Sequence, residues 1–292
     1  MSALQWVSYV AIVFFVVAVA VKMIRIARMP VHLRWDLYPI PHEKGKGHYG
    51  GSYFEEIDWW TKPREFALMA ELTEMAKEII LVKGVYRHNR PLWYFSFPFH
   101  FGLYCLVGFT VLLLIGGIMQ AAGMTVTAAT GNGFAVAVHY ATLVLGYVGW
   151  ILSLVGGVGV LLKRMTNRDM RAATVRGDYL NLVFLLAVFV TGMLTLTTVE
   201  QSLATWRGFI GSLITFQAAG ALPTIMAVHL WLVVVLLLYF PFTHMTHMVS
   251  KYFTYHTVRW EDEPNIRDGR IDRAVQQALG YKINWSAPHI KS

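Results

Sequence analysis

Charge and cysteine are what this chain has least of. Only 14% of its 292 residues are Asp, Glu, Lys or Arg, against about 25% in an ordinary soluble domain. One cysteine is present, Cys105. It can form no internal disulfide and leaves no four-cysteine site for zinc or an iron–sulfur cluster. Also missing are HExxH, CxxC, a nucleotide-binding Gly-rich loop, internal repeats and low-complexity runs. These gaps exclude a disordered chain, a disulfide-stapled secreted domain and a self-contained soluble enzyme.

Apolar sequence takes the place of charge: 56% of the residues are hydrophobic and the mean hydropathy is +0.48. Five stretches are long enough and apolar enough to cross a bilayer, which takes about 20 residues. They run from Ala3 to Val21, Leu92 to Gln120, Phe134 to Leu162, Tyr179 to Val199 and Leu222 to Met248. No basic residue precedes the first, whereas Lys22, Arg25 and Arg28 follow it. A cleaved signal peptide has the opposite order, so the first span reads as a retained anchor.

The basic residues fall on one side of these spans. Residues 22–91, 163–178 and 249–292 carry 24 of the 25 Lys and Arg; only Arg207 lies opposite, near Glu200. The basic side is expected to be cytoplasmic, with the N-terminus outside and the C-terminus in the cytoplasm. The separation accounts for the net charge of +8 through a lipid bilayer and without a nucleic-acid partner. The expected fold is all-α, an integral membrane bundle of five transmembrane helices in the cytoplasmic (inner) membrane. Its parts are an anchor (1–24), a long cytoplasmic loop (25–91), a four-helix bundle (92–250) and a cytoplasmic tail (251–292).

The loop opens with a Pro-, Gly- and aromatic-rich part, Pro30 to Trp60. Pro63 to Val82 then reads as an amphipathic helix. Leu68, Leu72, Met75, Ile79 and Val82 recur at helical steps, with Glu71, Glu74, Lys77 and Glu78 between them. That helix either lies on the bundle or in the headgroups, or offers a docking surface. A short helix is expected around Ile271 to Leu279 in the polar tail.

Of eleven histidines, five fall within the spans: His100, His139, His229, His244 and His247. An ionisable group in a span is costly and reads as functional, and histidine is a common axial ligand of haem iron. A lone one is as readily a satisfied core residue. His229 and His247 are 18 residues apart, five whole turns on an unbroken helix, so they would share a face about 27 Å apart. Depth then suggests two pairs, His100 with His247 and His139 with His229, for two stacked b-type haems. His244, about 60° off that face, could replace His247 or bond a propionate or carbonyl. Glycines at 102, 108, 146, 149, 156, 157 and 159 leave room for a flat macrocycle or for close helix packing.

The segments around these residues resemble the gamma subunit of respiratory nitrate reductase, a five-span dihaem cytochrome b. The likeness covers about the last two thirds of the chain. It rests on Phe99-His100-Phe101-Gly102 with Val107-Gly108 and on Gly156-Gly157 through Lys163-Arg164. Arg171-Ala172-Ala173-Thr174 and Gly177-Asp178 add to it. The most specific run is His229-Leu230, Phe240-Pro241-Phe242-Thr243 and His247-Met248-Val249-Ser250. The resemblance favours His247 over His244. It also implies a second ligand ten residues after His100, where this chain has Thr110, which cannot ligate iron. The outer haem is then either absent or held by His139. The long loop is more similar to cytochrome b subunits of sulfate-reducer redox complexes with heterodisulfide-reductase-like iron–sulfur partners.

The expected function is a membrane-anchoring electron conduit, an oxidoreductase subunit and not a complete enzyme. It would link a quinone pool (menaquinone as the candidate cofactor) or an outer-side multihaem cytochrome c to a cytoplasmic iron–sulfur subunit. The connector Glu200 to Ala221, with Trp206 and Arg207, either closes over a quinone or is a plain interfacial segment. The rival readings are a His-lined proton or solute transporter and a haem-free anchor. The first is disfavoured because the span interiors carry no Asp, Glu, Lys or Arg.

Overall fold

A computed structural model describes residues 1–29, 43–46, 55–63, 65–199, 201–259 and 266–282. Most of the aromatic segment Arg34 to Trp60 and parts of the tail lie outside them. Eleven α-helices are described: α1 Ala3–Ala27, α2 Leu68–Ile80, α3 Lys83–His88, α4 Arg90–Ala121, α5 Gly133–Thr166 and α6 Arg168–Ala173. They continue with α7 Arg176–Leu194, α8 Ala204–Ile214, α9 Thr224–Tyr239, α10 His247–Phe253 and α11 Arg270–Leu279. Among the described residues the only extended pairing is one isolated bridge, Glu43 with Phe66. Five helices have the length and composition to cross a membrane: Ala3–Ala27, Arg90–Ala121, Gly133–Thr166, Arg176–Val199 and Thr224–Phe242. With the apolar composition they make a multi-pass membrane protein. α2 and α11 match the helices expected before Val82 and around Ile271.

The chain divides into two compact units, Met1–Phe15 with Thr73–Phe240, and Val16–Leu72 with Pro241–Ser292. In the first, α4 and α5 form the tightest pair, and close approach at glycine is the cause. A Cβ on Gly102 would come within 2.5 Å of the Ser153 amide nitrogen, and one on Gly156 would strike the Phe99 amide and the Phe95 carbonyl. Lipid tails give helices no hydrophobic reason to associate, so dispersion contact at small residues supplies the attraction. The space beside Gly108 is taken by Leu145, that beside Gly146 by Phe109, and that beside Gly159 by Phe95. Of the two uses open to these glycines, the structure makes close packing.

α8 is the unexpected element of this unit. It lies along α4: the Arg207 stem sits over Gly116, and Ile210 and the Arg207 carbonyl sit over Gly117. Leu203 before it (φ 61°) and Phe216 after it (φ 55°) are both left-handed, a backbone form that costs a non-glycine residue of order 1 kcal/mol. Trp206, Arg207 and Phe209 are buried, so this connector is not the plain interfacial segment weighed from the sequence. The start of α1 caps its far end. Gln5 Nε2 donates to Ser212 Oγ (3.0 Å) and to the Gln217 carbonyl (2.8 Å), and Tyr9 donates to the Leu213 carbonyl (2.6 Å).

At the opposite end of α4, Trp93 Nε1 donates to the Leu81 carbonyl (2.8 Å) and the Tyr104 hydroxyl to the Ile79 carbonyl (2.6 Å). These bonds tie down the end of α2. α2 turns its apolar residues outward: Leu68, Met69, Leu72, Ile79 and Ile80 are exposed, while Glu71 and Glu78 are buried. In the second unit Glu56 lies between Lys46 (2.5 Å) and Lys62 (3.0 Å), and the two ammonium groups hold its carboxyl below the usual range.

Candidate functional site

The histidines sit in three settings. His100, on α4, is half-buried. Its Nδ1 lies 2.7 Å from the Ser96 carbonyl, one turn back on the same helix. A carbonyl only accepts, so Nδ1 carries the proton and Nε2 keeps its lone pair. That is the tautomer and orienting bond of a histidine metal ligand.

His247 reaches the same state by a different local route. The fifth span was expected to be one helix to Met248, with His229 and His247 on a common face. It is not: α9 ends at Tyr239, and two 3-10 turns, Phe240–Phe242 and His244–Thr246, intervene before α10 begins at His247. Pro241 has no N–H to continue the ladder and its ring opposes the helix behind it. The five-turn spacing and its 27 Å separation therefore do not apply. The break lets His247 Nδ1 donate to the His244 carbonyl at 3.0 Å, so here too Nδ1 carries the proton and Nε2 is the unprotonated nitrogen. His247 and His244 are both exposed. The break has its own clamp: Lys22 Nζ donates to the carbonyls of Pro241 (3.2 Å) and Thr243 (3.3 Å) and to Thr246 Oγ1 (2.5 Å).

His229, on α9, is 3% exposed. Its Nδ1 is 3.1 Å from the Thr191 hydroxyl of α7. Two indoles flank its ring, Trp150 at 5.6 Å and Trp206 at 5.5 Å between centroids, both near perpendicular. The same two indoles touch Phe109 on α4, at 6.2 and 5.9 Å. The tip of Trp150 fills the place a side chain on Gly192 would take. The N–H groups of both indoles are buried without a hydrogen-bond partner.

His139, on α5, is also buried, and its Nδ1 has no partner. Its ring neighbour is Tyr140. No ring contact or hydrogen bond joins it to His229. Trp150, whose ring meets His229, is eleven residues beyond His139 on α5, about 16 Å along the axis between the two Cα atoms. Nearby, Arg207 is 1% exposed and its Nη1 donates to the carbonyls of Val126 (2.7 Å) and Ser202 (3.3 Å). Sequence reasoning missed the ring cluster of Phe109, Trp150 and Trp206. These residues are 41 to 97 positions apart, and no local spacing joins them. Among the described residues no group of three or more His, Cys, Asp or Glu could hold a bare metal ion.

Comparison with known proteins decides the family. Residues 84–261, more than half of the chain, match the family described as nitrate reductase gamma subunit. The chain belongs to that family. The match takes in α4 to α10 and with them all five span histidines. Among curated proteins, the respiratory nitrate reductase 2 gamma chain of Escherichia coli (strain K12) is 30% identical over 129 residues. That alignment covers 41% of this chain and 57% of the relative, so the chain spans little more than half of the relative's length. The family segment begins just after α2, and the loop before residue 84 lies outside it.

Proposed function

We propose that the chain is a membrane-anchoring cytochrome b subunit of a respiratory oxidoreductase complex, in which His100 and His247 are the residues that would hold a b haem. One observation carries this: both histidines, in two different local folds, bond Nδ1–H to a backbone carbonyl and keep Nε2 as a lone-pair donor. They do so within the segment that matches the gamma subunit family. When bound, haem supplies reversible one-electron chemistry. The chain supplies the ligands and their orientation. The Ser96 and His244 carbonyls fix the two ring planes and raise ligand basicity. Lys22 holds the broken turn from which His247 projects. His244 is not a ligand on this reading; its carbonyl is the orienting group.

The orientation follows from charge. The segments bearing 24 of the 25 basic residues face the cytoplasm, and the connector that holds α8 faces outward. The cytoplasmic partner is an iron–sulfur subunit that exchanges electrons with the haem, the second reactant being a quinone or an outer-side cytochrome c. The exposed apolar face of α2 fits a helix lying in the headgroups beside that partner.

A reduced-minus-oxidised visible spectrum of the detergent-purified chain tests the reading. A low-spin b-type spectrum is expected, lost in His100→Ala and in His247→Ala and kept in His244→Ala. No haem spectrum in the wild type would leave a haem-free anchor or a transporter. Loss in His244→Ala with retention in His247→Ala would move the ligand to His244.

A further inference from the structure

We infer that this chain binds one haem and not two, because a plug of three aromatic rings around His229 fills the half of the bundle where a second macrocycle would sit. The inference rests on the reading of His100 and His247 as the ligands of the one haem.

A six-coordinate b haem at His229 needs a second nitrogen donor across the iron and a flat slot between the two rings. Neither is present. The rings nearest His229 are indoles, whose nitrogen only donates and cannot ligate. Thr110, on α4 beside Phe109, spends its hydroxyl on the Leu106 carbonyl of its own helix (2.9 Å). His139 lies three turns before Trp150 on α5, about 16 Å along the axis between Cα atoms, and makes no ring contact or hydrogen bond with His229.

The slot is filled as well. Trp150 and Trp206 each reach from Phe109 on one side to His229 on the other. On the remaining edges Thr191 meets Nδ1, and Gly192 lets the Trp150 tip and His229 Cε1 approach α7. Phe109, Trp150 and Trp206 are each 5% exposed or less. Clearing the site would mean withdrawing α8, since Trp206 is on it. That helix is fixed by Gly116 and Gly117 beneath it and by Gln5 and Tyr9 at its end. The left-handed residues at both of its ends are a local cost that its packing offsets. His229 is then a structural residue, hydrogen-bonded and boxed by rings.

The test is the haem stoichiometry of the full-length chain, by pyridine haemochrome against amino-acid analysis, with a potentiometric titration of the same sample. One haem per chain and a single one-electron component are expected. His229→Gln should keep the same haem per chain and the same midpoint potential. Two haems per chain, or two components of equal amplitude, would overturn the inference and leave the proposed function standing. A His229→Gln protein with half the wild-type haem would overturn it too. No haem in the wild type would overturn the parent reading and this one with it.

Discussion

At the scale of single residues, Lys22 is the cation with the most specific work. Its ammonium meets two carbonyls and a hydroxyl where the fifth span breaks. Hydrogen bonds to a charged group are worth about 1.5–3 kcal/mol each when a partner is removed, and here they share one donor. Lys22→Met should therefore destabilise the purified chain by about 2 kcal/mol, read as a lower melting temperature. It should also weaken haem retention on dilution into detergent. An unchanged melt with unchanged haem would show that water takes over the carbonyls. The histidines were legible in the sequence, since their rarity in spans marks them. Their proton positions were not. These depend on carbonyls three and four residues back, and on a helix break that the 3.6-residue period hides. Pro241 stood in plain sight, but a proline in a span can kink a helix as well as end it.

At the scale of elements, the pairing of α4 with α5 depends on two glycines at the crossing. Gly156→Val should push the helices apart. A backbone amide and a carbonyl stand where the new carbons would go, and neither can rotate out of the way. The expected result is a severe loss of folded, detergent-extractable protein. Gly220→Ala, with nothing within 4 Å of the added carbon, should match the wild type in yield and melting temperature. Equal behaviour of the two variants would mean that α4 and α5 separate at little cost. α8 illustrates what composition conceals. Eleven residues holding a Trp and an Arg read as a surface strip, but its Trp, Arg and Phe are all buried. The signal was Gly211 opposite Gly117, and it becomes visible only once the two segments are known to touch. α2 had the right period, whereas the side it buries was not legible. Its acids turn inward and its leucines outward, as they would where the surrounding medium is lipid.

At the scale of the whole molecule, the five spans and the sidedness of charge were legible because the bilayer imposes both. Impermeant maleimide labelling in a Cys105→Ala background checks the orientation. Lys282→Cys should react only when the cytoplasmic face is opened, and Gly131→Cys, in the α4–α5 connector, from outside. Reaction of both from one side would refute the orientation. The aromatic plug has a further consequence, of an electrical kind. A bundle with a redox centre in only one leaflet offers electrons no stepping stone through the other. On the one-haem reading, the half that holds three aromatic ring systems and a buried guanidinium whose Nη1 is bonded to backbone carbonyls would contain no redox group to relay them. Electrons would enter and leave on the cytoplasmic side, so a quinone and not an outer-side cytochrome c would be the second reactant, and turnover would move no net charge across the membrane. In sealed proteoliposomes, the complex should then oxidise a lipid-soluble quinol without building a membrane potential, and a potassium–valinomycin clamp should leave its rate unchanged.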